Sequence, residues 1–252
     1  LGIAYYELGK YQEAIESYKQ AIRIDPDYAK AHNNLGAAYA ELGKYQEEIE
    51  PYKQAIRIDP DYAEAHSNLG LAYGESGRHQ EAIESFKQAI RIDPDDADAH
   101  YNLGKTYHDS GKYEEAIESY KQALRINPDY ALAHASLGAA YDESGKHEEA
   151  IKSYKQAIRI DPDFADAHNN LGAAYNDSGM HKEAIEAYKQ AIKIDPDDAD
   201  VHNNLGLAYG KSGKYKEAIE SFKQAIKIDH DFAQAYFNLG ITYLILKDNG
   251  SA

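Results

Sequence analysis

The 252-residue chain contains no cysteine and no tryptophan. Without thiols it can form no disulfide and run no thiol chemistry, which suits a reducing compartment and leads us to expect a cytoplasmic protein. Bases are scarce, with 27 Lys and Arg against 43 Asp and Glu, a formal net charge of −16. Nucleic-acid affinity comes mainly from cations that neutralise phosphates, so no nucleic-acid partner is expected. The same acidity argues against an anionic membrane surface. No apolar run approaches the length of a membrane span, and no signal peptide is recognisable. Leu1 opens the chain without an initiator methionine, so a natural N-terminus is expected upstream.

What is present is repetition. The octet HNNLGAAY occurs at 32–39 and again at 168–175. Asn34, Asn68, Asn102, Asn170, Asn204 and Asn238 are spaced by 34 residues or twice that, and Ser136 fills the missing step. Leucines from Leu1 to Leu239, glycines from Gly2 to Gly240 and tyrosines from Tyr5 to Tyr243 keep the same period. A period in this range marks a solenoid, in which each unit buries its apolar face only against its neighbours.

One unit runs from Ala63 to Asp96. In its first half Ala65, His66, Leu69 and Tyr73 fall on one helical face. Gly77 then supplies a left-handed stop. In the second half Ala82, Phe86, Ala89 and Ile90 share a face, Pro94 prevents continuation, and Asp95 is expected to cap the next helix. Each unit is therefore two antiparallel helices, with Gly70 and Ala82 small where the backbones approach and Tyr73 and Phe86 filling the space around them. The expected division is a partial repeat at 1–28, full repeats at 29–62, 63–96, 97–130, 131–164, 165–198 and 199–232, a last helix at 233–246 and a polar tail at 247–252.

His66, Leu69-Gly70, Tyr73, Ala82, Phe86, Ala89 and Pro94 together resemble the pattern of the tetratricopeptide repeat family, and the likeness covers essentially the whole chain. The departure is the first large position, Trp in the family pattern, which is His here in every unit that includes it except the last, where it is Tyr236. The resemblance implies an all-α, right-handed superhelical solenoid of antiparallel helix pairs, with a concave groove lined by the first helix of each pair. It also implies protein–protein interaction as the function.

Counting from the start of each unit, a wheel of about 100° per residue groups positions 4, 7, 8 and 11 on one side of the first helix. Positions 2, 5, 6, 9, 12 and 13 fall on the other, expected to line the groove. Asn33, Asn34, Asn68, Asn102, Asn169, Asn170, Asn203, Asn204 and Asn238 occupy positions 5 and 6. An amide there can donate to and accept from a peptide backbone, although the same amides can instead bond to the neighbouring helix. Asparagine at this position also resembles the groove of O-linked N-acetylglucosamine transferases, a likeness of one position only. Position 13 is acidic at Glu75, Asp109, Glu143 and Asp177. Position 9 is small or apolar apart from Lys105. The last helix adds Phe237 and Ile241. These residues form the candidate binding set, and its ligand is expected to be an extended, basic polypeptide. The Lys/Asn clamp with which some family members hold a C-terminal carboxylate is missing, so acidic tails are not expected as ligands.

Motifs for chemistry are wanting. HEEAI at 147–151 begins like a zinc-protease helix, but Ile151 stands where the second histidine must be. DPDDAD at 93–98 alternates acids like a calcium loop without its turn glycine or distal glutamate, so capping is expected instead. His32, His66, His100, His134, His168 and His202 share one core-facing position. Neighbours would lie on the order of 10 Å apart, too far to share a metal bonded at about 2 Å. No nucleophile elbow or phosphate-binding glycine loop occurs. We therefore expect no catalytic residue, no metal and no cofactor. Alternative readings are the substrate-recruiting fragment of a larger, glycosyltransferase-like enzyme, or a structural array that is idealised or self-associates weakly end to end. Glu48 and Pro51 mark the second helix of unit 29–62 as the place where a helix should kink or open.

Overall fold

The computed structural model describes residues 1–249, apart from the side chains of Tyr45, Asp248 and Asn249, and its regular structure is entirely α-helical. The first helices of successive pairs are α1 (Gly2–Glu7), α3 (Ala29–Ala40), α5 (Ala63–Glu75), α7 (Ala97–Asp109), α9 (Ala131–Glu143), α11 (Ala165–Asp177), α13 (Ala199–Lys211) and α15 (Ala233–Asn249). The second helices are α2 (Tyr11–Ile24), α4 (Tyr45–Ile58), α6 (His79–Ile92), α8 (Tyr113–Ile126), α10 (His147–Ile160), α12 (His181–Ile194) and α14 (Tyr215–Ile228). The chain forms two compact units, one over residues 1–128 with α1–α8 and one from residue 129 onward with α9–α15. Within each, every helix packs on the one before and the one after it, and first helices also touch the first helices of adjacent pairs. This is the expected solenoid of antiparallel pairs. The last helix continues past residue 246 to Asn249, and residues 250–252 of the expected tail lie outside the described residues.

Local chemistry sets the helix ends. Gly77 adopts a φ of 70°, open to glycine at little cost, and the Arg78 N–H turns back to donate to the Tyr73 carbonyl at 2.8 Å. At the other end of the pair, the Asp93 carboxylate accepts from the Asp95 N–H at 3.2 Å and closes a turn around Pro94. The same bond recurs at Asp25, Asp59, Asp161, Asp195 and Asp229. The acidic runs are thus turn chemistry, and among the described residues no cluster able to hold a metal is present. The cap of α7 is Asp96 rather than the expected Asp95. Its carboxylate accepts from the Asp98 and Ala99 N–H groups at 2.9 and 3.0 Å, because Asp95 is already drawn into the Pro94 turn.

The recurrent histidines are half-buried and have a bonding role besides packing. The Nε2 atoms of His32, His66, His100, His168 and His202 lie 3.0–3.1 Å from the carbonyls of Pro26, Pro60, Pro94, Pro162 and Pro196, tying each first helix to the turn that precedes it. Around them the core is aliphatic and aromatic. Leu69, Ala72, Tyr73, Ala82, Ile83 and Phe86 pack together with Leu103 of the next pair, each large side chain contributing roughly 1.5–3 kcal/mol. A Cβ added to Gly70 would stand 2.8 Å from the Phe86 ring, so glycine is demanded by the ring's approach.

Unit 29–62 departs from this plan. Helix α4 spans the same 14 residues as its equivalents, so the expected opening at Pro51 does not occur in its hydrogen-bonded span. Pro51 still removes a bond, since it has no N–H for the Glu47 carbonyl. At the same position elsewhere, the hydroxyls of Ser17, Ser85, Ser119, Ser153 and Ser221 donate to the carbonyl four residues back at 2.9–3.0 Å. Glu48, only 2% exposed, sits where the other units bury alanine.

Candidate functional site

The wheel divides a first helix into two sides, but within each compact unit an inner first helix has up to four neighbours, its own partner, the second helix before it and the first helices on either side. Its own partner covers positions 4, 7, 8 and 11, and the first helices before and after it cover two flanks. Positions 5 and 6 face the following and the preceding first helix, position 12 meets the start of its own second helix, and position 10 packs with the preceding second helix. Small side chains at position 10 permit this approach, as Ala38, Ala72, Thr106, Ala174, Ala208 and Thr242 are all buried. Positions 2 and 13 remain open, and position 9 is exposed at Leu71, Lys105, Leu207 and Ile241 and half-buried at Ala37, Ala139 and Ala173.

Three of the asparagines expected in the groove therefore need correcting. Asn33, Asn203 and Asn238 are 1%, 6% and 9% exposed. They form rungs between adjacent first helices. The Asn68 Nδ2 donates to Asn33 Oδ1 at 3.0 Å, Asn204 to Asn169 at 3.2 Å and Asn238 to Asn203 at 2.9 Å. Asn33 in turn donates to the Glu64 carboxylate at 3.0 Å. A rung needs an asparagine at position 5 of one unit and position 6 of the next. Ser67 and Ala135 break it, so Asn102 and Asn170 make no side-chain hydrogen bond among the described residues, and neither does Asn34.

The open positions hold the charge and the apolar floor. Glu75, Asp109, Glu143 and Asp177 are exposed at position 13, Leu71, Leu207 and Ile241 are exposed at position 9, and Lys105 is exposed among them. In unit 29–62 Glu41 is engaged by Tyr6 of the partial first repeat, whose hydroxyl donates to it at 3.1 Å. Burial, and then this carboxylate, push the Tyr6 hydroxyl up to about 12. Helix α15 exposes Phe237, Ile241 and Leu244, with Phe237 and Leu244 at 63% and 64%.

Three cavities matter. One of about 130 Å3 lies between α5 and α7, lined by Gly74, Glu75, His79, Asn102, Lys105 and Asp109 among others. The other two, of about 500 Å3 each, repeat one unit apart between second helices, over His168 and Tyr175 and over His202 and Tyr209. The sequence reading missed these two because it considered only the first helices.

Comparison with known proteins agrees with this architecture. A family model described as TPR repeat matches at residues 2–43, 38–77, 73–111, 104–145, 141–179, 174–213 and 210–246. The crystal structure of MamA is 33% identical over 66% of this chain and 97% of its own, with a TM-score of 0.62. That of YrrB, a TPR protein with an unusual peptide-binding site, is 23% identical over 75% of this chain and 97% of its own, with a TM-score of 0.64. The C-terminal part of a TPR repeat-containing protein from Cytophaga hutchinsonii is 17% identical over 94% of this chain and 98% of its own, with a TM-score of 0.76. No curated protein sequence matches. No helix among the described residues is long and apolar enough to cross a membrane. With helix pairs at a 34-residue period and the family model matched from residue 2 to residue 246, the chain belongs to the tetratricopeptide repeat family, a scaffold fold that typically mediates protein–protein interaction.

Proposed function

We propose that the chain is a non-catalytic scaffold that holds an extended, basic polypeptide along its first helices. The observation that supports this most is the open face itself. Exposed carboxylates at position 13 flank apolar side chains at position 9, a surface suited to Lys and Arg beside small apolar residues. The amides of Asn34, Asn102 and Asn170, which have no rung, serve backbone groups of the ligand, each bond netting about 0.5–1.5 kcal/mol. Several such bonds with the charge pairs reach the roughly 8 kcal/mol of a micromolar complex once ordering costs are met.

Calorimetric titration with a Lys- and Arg-rich peptide tests the proposal. Asn170→Ala is expected to weaken binding roughly threefold to tenfold, a net hydrogen bond's worth, with thermal stability unchanged. Asp177→Lys is expected to weaken it as well. No binding at low salt, or binding indifferent to both substitutions, overturns the proposal. A second reading attaches to the exposed Tyr236, Phe237, Tyr243 and Leu244 of α15, which favour weak self-association. Sedimentation equilibrium at rising concentration checks it, and a constant monomer mass overturns it.

A further inference from the structure

The first residue of the second helix and position 12 of the first helix form a pair that varies from unit to unit. In unit 131–164 the His147 Nδ1 lies 2.6 Å from Asp142 Oδ1. In unit 165–198 the His181 Nδ1 lies 3.0 Å from Asn176 Oδ1. Unit 63–96 has the same histidine, His79, but Gly74 stands at position 12 and offers it nothing. The His79 Nδ1 is buried and has no hydrogen-bond partner. A Cβ built on Gly74 would meet no atom within 4 Å, so the place of the absent side chain is open. It merges with the cavity of about 130 Å3 between α5 and α7. A water needs only about 10–15 Å3 of such volume, so the space admits a whole side chain.

We infer that this cavity is a specificity pocket for a carboxamide, the side chain of a Gln or Asn carried by the bound polypeptide. The inference rests on the groove-binding function proposed above and adds to it the identity of one ligand residue. Two other units show what the vacancy fits, since in each the chain itself supplies an oxygen to this nitrogen. The charge of the lining then selects among oxygen acceptors. Glu75 and Asp109 at the mouth disfavour a third carboxylate, against a single Lys105. An amide meets both demands, because its oxygen accepts from the His79 Nδ1–H and its NH2 donates to Glu75 or Asp109. Asn102, which has no rung partner, borders the same space. A lysine would find carboxylates there but would leave the His79 N–H unpaired, and an aliphatic chain would leave every polar group unpaired.

The test uses the full chain and twelve-residue Lys/Ala peptides carrying Gln, Glu, Lys or norvaline at one central position. The Gln peptide is expected to bind about tenfold more tightly than the norvaline peptide, as a buried hydrogen-bonding pair requires. Gly74→Asn places a carboxamide inside the pocket, as Asn176 does beside His181. In that variant the preference for Gln should fall to about one, with the melting temperature equal or higher. Gly210→Asn, made at the same position in a unit whose second helix starts with Tyr215, should leave the preference intact. Binding of all four peptides without preference for Gln, or a preference that survives Gly74→Asn, overturns the pocket and leaves the groove reading standing. Failure of all four to bind overturns both.

Discussion

Among single residues, Glu48 has the largest expected effect on stability. Its carboxyl is buried where every other unit has a fully buried alanine, and burial, then the nearby Glu75, raise its pKa from an ordinary 4.5 to about 7. Tyr52, on the same helix, is also buried, and its hydroxyl is pushed up by burial and by Glu48. The folded state therefore binds this proton more tightly than the unfolded chain does. The contribution of this group to stability is fully present below about 4.5, is lost as pH rises toward about 7 and is flat beyond. The loss amounts to roughly 3 kcal/mol. Glu48→Ala should remove it, so the melting temperature of the variant should exceed that of the parent by several degrees more at pH 8 than at pH 5. Parallel curves would show that the carboxyl escapes to solvent. The asparagines yield a second contrast. Asn204→Ala strips the acceptor Asn169 of its donor and should cost about 1 kcal/mol, whereas Asn170→Ala should cost nothing, since alanine is the better helix former. Equal melting temperatures for the two variants would count against the rungs as supports.

At the scale of elements, the irregular helix is α4 and the regular constraint is the crossing within each pair. Pro51→Ser should return a donor to the Glu47 carbonyl, add the serine back-bond seen in five other second helices and stabilise the chain by roughly 2–3 kcal/mol. Amide exchange over 46–57 should slow in the variant, and exchange already as slow as over 80–91 in the parent would refute the defect. Gly206→Ala drives a methyl to 2.6 Å from the Phe222 ring and should cost about 1–3 kcal/mol, whereas Gly240→Ala meets nothing and should be neutral or better. Both constraints are legible in the sequence, because the glycine, the aromatic and the stop recur at one interval. The site is less so. A wheel orients a helix against one partner, so it placed Asn33 and Asn203 in the groove when the following first helix buries them. The pocket at Gly74 had a signal that went unread. A histidine at 79, 147 or 181 follows Gly74, Asp142 or Asn176 by five residues, and that coupling is intelligible only once the two helices are seen to meet.

At the scale of the whole molecule, charge acts on folding and on binding with opposite sign. The 43 acids and 27 bases leave a surplus that repels itself in the folded state more than in the expanded chain. Local ion pairs resist this only slightly. Lys19–Glu16, Lys189–Glu186 and Lys223–Glu220 lie at 3.5, 3.0 and 3.1 Å with both members exposed, and such pairs contribute about 0.2–1 kcal/mol each. Screening falls from about 30 Å at 0.01 M salt to about 8 Å at 0.15 M. Raising sodium chloride across that range should therefore raise the melting temperature, because the repulsion it removes outweighs the pairs it weakens. The same change should weaken a Lys- and Arg-rich peptide by roughly tenfold, because its contacts with Glu75, Asp109, Glu143 and Asp177 are exposed and long-ranged. Thermal melts and titrations at the two salt concentrations measure both. A melting temperature that falls with salt would mean that the ion pairs dominate the surface. Peptide affinity that ignores salt would mean that the acids of the open face solubilise it and bind nothing.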